Sequence, residues 1–188
     1  MTRRMLIVGP PGAGKGTQSK KISEELGIVA ISTGDIFREN IKGGTPLGQE
    51  AQKYVEAGNL VPDSLTNRLI EDRLSWDDAE NGFLLDGYPR NLTQVEAFDE
   101  IIARLGVELD VVLELTAEKE ELVSRLAKRA QQEGRSDDTE DVIRHRLEVF
   151  ESETSPMIAE YSTRGLLKQV DGLGAVDEVN ARIMKELR

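Results

Sequence analysis

The chain has 188 residues, 38% hydrophobic and 31% charged, with a formal net charge of −11 and no cysteine. That length suits one compact domain with inserts, and the balance suits a globular fold rather than disorder. The acidity disfavours nucleic acid and anionic membrane as partners, and the lack of thiols excludes a disulfide framework or a thiolate metal site.

Met5-Leu6-Ile7-Val8 reads as a short buried parallel strand. It is too short for a signal segment or a membrane span, so a cytoplasmic protein is expected. "GPPGAGKGTQ" (Gly9–Gln18) follows and almost fits the phosphate-binding pattern G-x-x-x-x-G-K-[ST]. Gly9, Gly14 and Lys15 match. Gly16 stands where a hydroxyl residue should be, and Thr17 comes one place late. Backbone N–H groups from Gly12 through Ala13, Gly14, Lys15 and Gly16 to Thr17 are expected to face an anion at a helix N-terminus. Lys15 adds charge for the β- and γ-phosphates. Each helical residue turns about 100°, so Thr17 cannot replace a side chain at Gly16. Its expected partner is an α-phosphate oxygen, and Mg²⁺ is left to the nucleotide and to waters.

A helix is predicted from Lys15 to about Leu26, then a strand over Val29–Ile31. From Ser32 to Pro62 the chain reads helix on helix, broken by Gly43-Gly44 and Gly58: a helical insert between strands. Gly82–Leu85 is the next strand. Asp86 at its end is placed like a Walker-B aspartate, to anchor the waters of Mg²⁺. Thr93 and Glu96 read as a capping box before Val95, Phe98, Ile101, Ile102 and Leu105. Val111–Leu113 with Leu115 is a fourth strand, Gln131–Asp138 an exposed loop or flap, and Val170 a weakly signalled fifth strand. Val176, Val179, Ile183 and Leu187 mark the last helix. This alternation predicts an α/β fold with a parallel sheet and helices on both faces.

"GPPGAGKGTQ", "ISTGDIFR", "GNLVPD", "FLLDGYPRN" and "VDG", in this order and at these spacings, resemble adenylate kinases over nearly the whole chain. Lys followed by Gly is that family's own pattern. The resemblance implies a P-loop three-layer fold around a central five-stranded sheet. It divides the single domain into a core (1–31, 62–128, 139–188), an NMP-binding insert (32–61) and a short lid (129–138). It also implies transfer of the γ-phosphoryl of MgATP to AMP, giving two ADP. Thr33, Arg38, Asn59, Leu60, Val61, Gly87, Tyr88, Pro89, Arg90 and Gln94 would form the AMP site. Arg125 and Arg129 would meet ATP, Arg135 and Arg146 the moving phosphoryl and AMP, and Gly174 the ATP base. Lys15, Arg90, Arg129, Arg135 and Arg146 would be the catalytic set. Only five residues separate Arg129 from Arg135, so the lid is short and no structural zinc is expected. A monomer with ATP, AMP and ADP as its partners follows.

The arginines make sense without the name, because planar forks suit phosphate and these come from separate segments. Arg144 and the lone His145 read as surface residues. Rival readings are a UMP/CMP kinase, which Asn91 favours while Thr33 and Gln94 favour adenine, and a regulatory switch, against which stands the missing N-K-x-D. A non-catalytic nucleotide-binding module is a third, disfavoured by the full arginine set.

Overall fold

The computed structural model describes residues 3–188. Strands β1 (Arg3–Val8), β2 (Val29–Ser32), β3 (Gly82–Asp86), β4 (Val111–Thr116) and β5 (Leu167–Asp171) form one sheet in the order β2-β3-β1-β4-β5. Every neighbouring pair is parallel. The helices are α1 (Lys15–Leu26), α2 (Thr33–Gly43), α3 (Pro46–Ala57), α4 (Asp63–Leu74), α5 (Leu92–Leu105), α6 (Lys119–Glu133), α7 (Glu140–Val149), α8 (Ser155–Thr163) and α9 (Val176–Glu186). None among the described residues is long and apolar enough to cross a membrane.

The unbroken apolar runs explain the layering. Successive side chains of a strand point to opposite faces. Met5 and Ile7 of β1 therefore join Leu84, Val111, Leu113 and Leu115 against α1, α6, α7 and α9. Leu6 and Val8 join Phe83, Leu85 and Val112 against α4, α5 and α8. Strands buried on both faces can carry no polar alternation. β1 lies between β3 and β4, where the strand order reverses, so the crevice of the sheet opens beyond its carboxyl end.

Helices α2 and α3 stand outside these layers. Phe37, Ala51 and Val61 form a small core of their own, with Leu47, Tyr54 and two α4 residues, Leu65 and Leu69, packed on it. This is the helical insert expected from the sequence.

Two expectations fail locally. Helix α5 begins at Leu92, and its N-cap is Asn91, whose Oδ1 accepts the Gln94 N–H at 2.8 Å. Asn91 therefore claims the cap two residues before Thr93, and the Thr93–Glu96 box does not form. The segment Gln131–Asp138 is exposed over Gln131–Gly134 and at Ser136, as expected, but not throughout. Helix α6 runs on through Glu133, and a 3₁₀ turn (Ser136–Asp138) buries Asp137 and Asp138. Paired arginines, described below, draw these carboxylates inward.

The tightest crossing in the insert is at Gly48, whose N–H is capped by Thr45 Oγ1 at 3.1 Å. A Cβ there would fall inside the backbone carbonyl of Asn40 on α2. Gly48→Ala must push the two helices apart, at a cost of about 1–3 kcal/mol. The expected result is a lower thermal midpoint with faster amide exchange in α2 and α3, while amides of β1 and β3 keep their protection.

Candidate active site

The turn after β1 leads into α1 through Gly14, which is in the left-handed region (φ 95°). The N–H of Ala13 is spent on Pro10 O at 3.1 Å and that of Gln18 on Gly14 O at 3.0 Å. The N–H groups of Gly14, Lys15, Gly16 and Thr17 bond no described residue. Of the six N–H groups expected to face an anion, Gly12 to Thr17, only that of Ala13 is taken up within the chain. Ala13 itself is a core residue. Lys15 Nζ folds back onto Gly9 O (2.9 Å) and Pro10 O (3.2 Å). Burial is the main influence on it and, with Arg90, Arg146 and Arg129 nearby, lowers its pKa to about 8 against the pull of Asp86.

Asp86 closes β3 and is buried; Thr33 Oγ1 lies 3.5 Å from its carbonyl, but its carboxylate receives no hydrogen bond from any described side chain. Burial pushes its pKa up, opposed by Lys15 and Arg90. A Cβ on Gly16 would stand 3.8 Å from Asp86 Oδ2, so the missing side chain leaves a gap between the helix start and this carboxylate. A lone unpartnered carboxylate facing a phosphate cradle fits a Mg²⁺ held through water. Among the described residues no three His, Cys, Asp or Glu cluster as a protein cage for a metal.

Two clefts open beyond the sheet. One, about 1020 Å³ including its mouth, is lined by Thr33, Asn59, Leu60, Val61, Gly87, Pro89 and Gln94. The other, about 1630 Å³ on the same measure, is lined by Gly12, Gly14, Gly16, Thr17, Arg125, Arg129 and Arg135. They share Lys15, Arg38, Arg90 and Arg146. The scattered arginines are thus brought together, though not every expected site residue lines the cleft assigned to it. Arg135 lines the second cleft only. Tyr88 lines neither; it is buried edge-to-face on Phe98, because its ring belongs to the core behind the cleft wall. Gly174 also lies off both linings. It sits in the turn before α9, near Gly172, whose carbonyl accepts from Arg125 Nη2 at 3.1 Å.

Three of the arginines are held by two aspartates. Arg129 grips Asp138 through both oxygens (2.6 and 2.7 Å), and Arg135 grips Asp137 likewise (2.9 and 2.6 Å). Arg146 Nη1 reaches Asp138 Oδ1 at 2.8 Å and Asp137 O at 3.2 Å. Burial brings the pKa of Arg146 down to about 10, so it stays charged at neutral pH. Sequence reading missed Asp137 and Asp138, since nothing distinguishes them among 35 acidic residues.

It also missed Asp63 and Thr154. Asp63 Oδ1 accepts from Asn91 Nδ2 (3.0 Å) and from Gln94 Nε2 (2.8 Å). Gln94 Oε1 in turn accepts the Arg90 N–H at 2.7 Å. These bonds fix which way the Gln94 amide points and leave one N–H and one lone pair for a ligand. Thr33 Oγ1 donates to Gly87 O (2.9 Å), so it faces the cleft as an acceptor. Thr154 Oγ1 donates to Arg90 O (2.7 Å) from a π-helical turn, Phe150–Thr154, that joins α7 to α8. Arg144 is a surface residue as expected, paired with Glu140. His145 is not free: its Nε2 lies 2.6 Å from Asn59 Oδ1.

A family profile described as "Adenylate kinase" matches residues 7–166. The chain is 63% identical to the adenylate kinase of Kocuria rhizophila over 184 residues, covering 98% of each chain. It is 60% identical to that of Pseudarthrobacter chlorophenolicus, covering 98% of this chain and 96% of the relative. Against the adenylate kinase of Thermobifida fusca the identity is 54%, again over 98% of each.

The Asp137 cluster has a measurable acid signature. Burial works to raise the Asp137 pKa, but the Arg135 hydrogen bond and the Arg146 and Arg135 charges hold it down, at about 2 against 3.8 unperturbed. A depressed carboxylate stabilises fully above its unfolded pKa and loses that as pH falls through the folded one. The window is therefore pH 4 down to 2, and the contribution is about 2 kcal/mol. Urea unfolding midpoints followed from pH 4 to 2 are expected to fall less steeply in Asp137→Asn than in the wild type.

Proposed function

The chain belongs to the adenylate kinase family, and we propose that its first cleft takes AMP and its second MgATP, the γ-phosphoryl passing between them to give two ADP. The observation that carries this reading is the shared boundary of the two clefts. Lys15, Arg38, Arg90 and Arg146 line both, so donor and acceptor phosphates would converge on the same four cations.

The chain is a phosphotransferase, and this chemistry needs no general base. The attacking atom is a phosphate oxygen of AMP, already ionised at neutral pH. Catalysis then rests on alignment and on stabilising charge as the phosphoryl moves. The free N–H groups of Gly14 to Thr17 would hold the β-phosphate, with Thr17 Oγ1 on the α-phosphate. Lys15 would follow the γ-phosphoryl, and a polyphosphate arriving beside it would keep its ammonium charged. Arg129, Arg135 and Arg146 would exchange part of their hold on Asp137 and Asp138 for phosphate oxygens. When bound, Mg²⁺ neutralises phosphate charge, and Asp86 would hold it through water.

The insert 32–61 would close over AMP and the lid 129–138 over ATP, excluding water as the competing nucleophile. Arg125, beside the Gly172 carbonyl, and the Gly174 backbone would meet the ATP base. Both substrates would sit in one cleft system of one chain, which supports a monomer. The net charge of −11, with its one arginine cluster turned into the clefts, argues against nucleic acid and anionic membrane as partners. A cytoplasmic setting, where adenine nucleotides are exchanged, completes the reading.

ADP formation from ATP plus AMP, measured beside ATP alone, tests the reading directly: turnover should require AMP. Lys15→Met should lower kcat by roughly 10²–10³ while the thermal midpoint shows the fold intact. Near-normal turnover would refute the role of the cradle.

Acceptor choice follows from the Gln94 and Thr33 bonds. Adenine offers Gln94 a donor and an acceptor side by side, and a second N–H to Thr33. Uracil reverses that pattern. Cytosine keeps it on a smaller ring that falls short of the wall. The expected order of kcat/KM at fixed MgATP is AMP, then CMP, then UMP, with AMP ahead by at least about tenfold. Equal use of CMP would instead support a pyrimidine kinase.

A further inference from the structure

Asn59 follows Gly58, the residue that ends α3, and both line the acceptor cleft. The far side of that cleft is lined by Arg146 on α7. His145 precedes Arg146, and its Nε2 lies 2.6 Å from Asn59 Oδ1 although the imidazole is 43% exposed. A second contact lies beside it. A Cβ on Gly58 (φ 74°) would stand 2.8 Å from Arg146 Cγ and 2.9 Å from Val142 Cγ1, so the end of the insert is seated directly on α7. The insert therefore touches the helix that presents a phosphate-facing arginine, through one polar bond and one close backbone approach.

We propose that His145 is a positioning residue for the acceptor. It donates from Nε2 to Asn59 and so favours the arrangement in which the insert is docked on α7 beside Arg146. This rests on the assignment of that cleft to AMP. A ligand that binds only a fraction of the population pays that fraction in apparent affinity. Losing the bond lowers the docked fraction, so the cost falls on AMP binding. Saturating AMP itself pulls the insert shut, so kcat is spared. Beyond Asn59, His145 reaches only Glu148 on its own helix (Nδ1 to Oε2, 4.0 Å) and lines neither cleft, so ATP binding is untouched.

The test compares wild type, His145→Leu and His145→Gln, the last keeping an N–H at similar reach. In His145→Leu, KM for AMP should rise about three- to tenfold, the worth of one exposed hydrogen bond, with kcat and KM for ATP within about twofold. His145→Gln should recover most of the loss. A merely structural defect would lower kcat by lowering the active fraction and leave KM alone. Because the chain has no cysteine, spin labels on Glu56→Cys and Arg144→Cys read the distance between α3 and α7 without background. With AMP present below saturation, His145→Leu should shift that distribution towards longer distances. An unchanged distance distribution overturns the proposal, whichever nucleotide the cleft takes. A changed distribution whose kinetic cost falls on ATP would instead keep the docking role of His145 and refute the AMP assignment.

Discussion

Like charges repel, and most strongly where water is scarce. An active site that passes a phosphoryl group between two phosphate-bearing nucleotides must nonetheless gather cations, and this one places Lys15, Arg38, Arg90, Arg129, Arg135 and Arg146 along two joined clefts. Without anions such a group would be expensive to assemble. Asp137 and Asp138 supply them from within, each gripped by an arginine through both oxygens. The rest of the cleft follows from this balance. The arginines are already oriented as planar forks, so on the proposed reading an incoming phosphate would replace one set of oxygens with another rather than order loose side chains.

The sheet sets where that balance can be struck. β1 is flanked by β3 and β4, so the cradle after β1 and Asp86 at the end of β3 emerge side by side. The lowered pKa of Lys15 and the raised pKa of Asp86 have the same origin: both sit at the rim of a core packed on two faces. The desolvation that makes them costly in the free protein strengthens their field on a bound nucleotide.

Elements governed by local pattern were legible in the sequence. β1 and β4 showed as apolar runs, α1 as a helix after a glycine turn, and the insert as helices punctuated by Gly43-Gly44 and Gly58. Their cause is carried within a few residues. The misses share the opposite property. Asn91 outcompeted Thr93 as a cap, and its side chain also reaches Asp63, 28 residues away. Asp137 and Asp138 looked like solvated loop until arginines from α6 and α7 were folded over them. His145 looked free because Asn59 lies 86 residues earlier. The cleft arginines were identified as a group through resemblance, but their division between the clefts, with Arg135 on one side alone, depends on how α6 and α7 meet.

The π-helical turn at Phe150–Thr154 does more than support Arg90. Helices α7 and α8 run into it without a break, so residues 140–163 form one continuous rod. Ile143 and Leu147 pack on one face of the sheet, whereas Met157, Ile158 and Tyr161 pack on the other. The rod thus passes from layer to layer around the end of the sheet. The wide turn changes the phase of the helix on the way, each residue counting for about 100° of rotation. Removing one residue there would turn the whole of α8 by that angle and carry Tyr161 off its seat. Reading frame along this helix is therefore as constrained as the register of a strand.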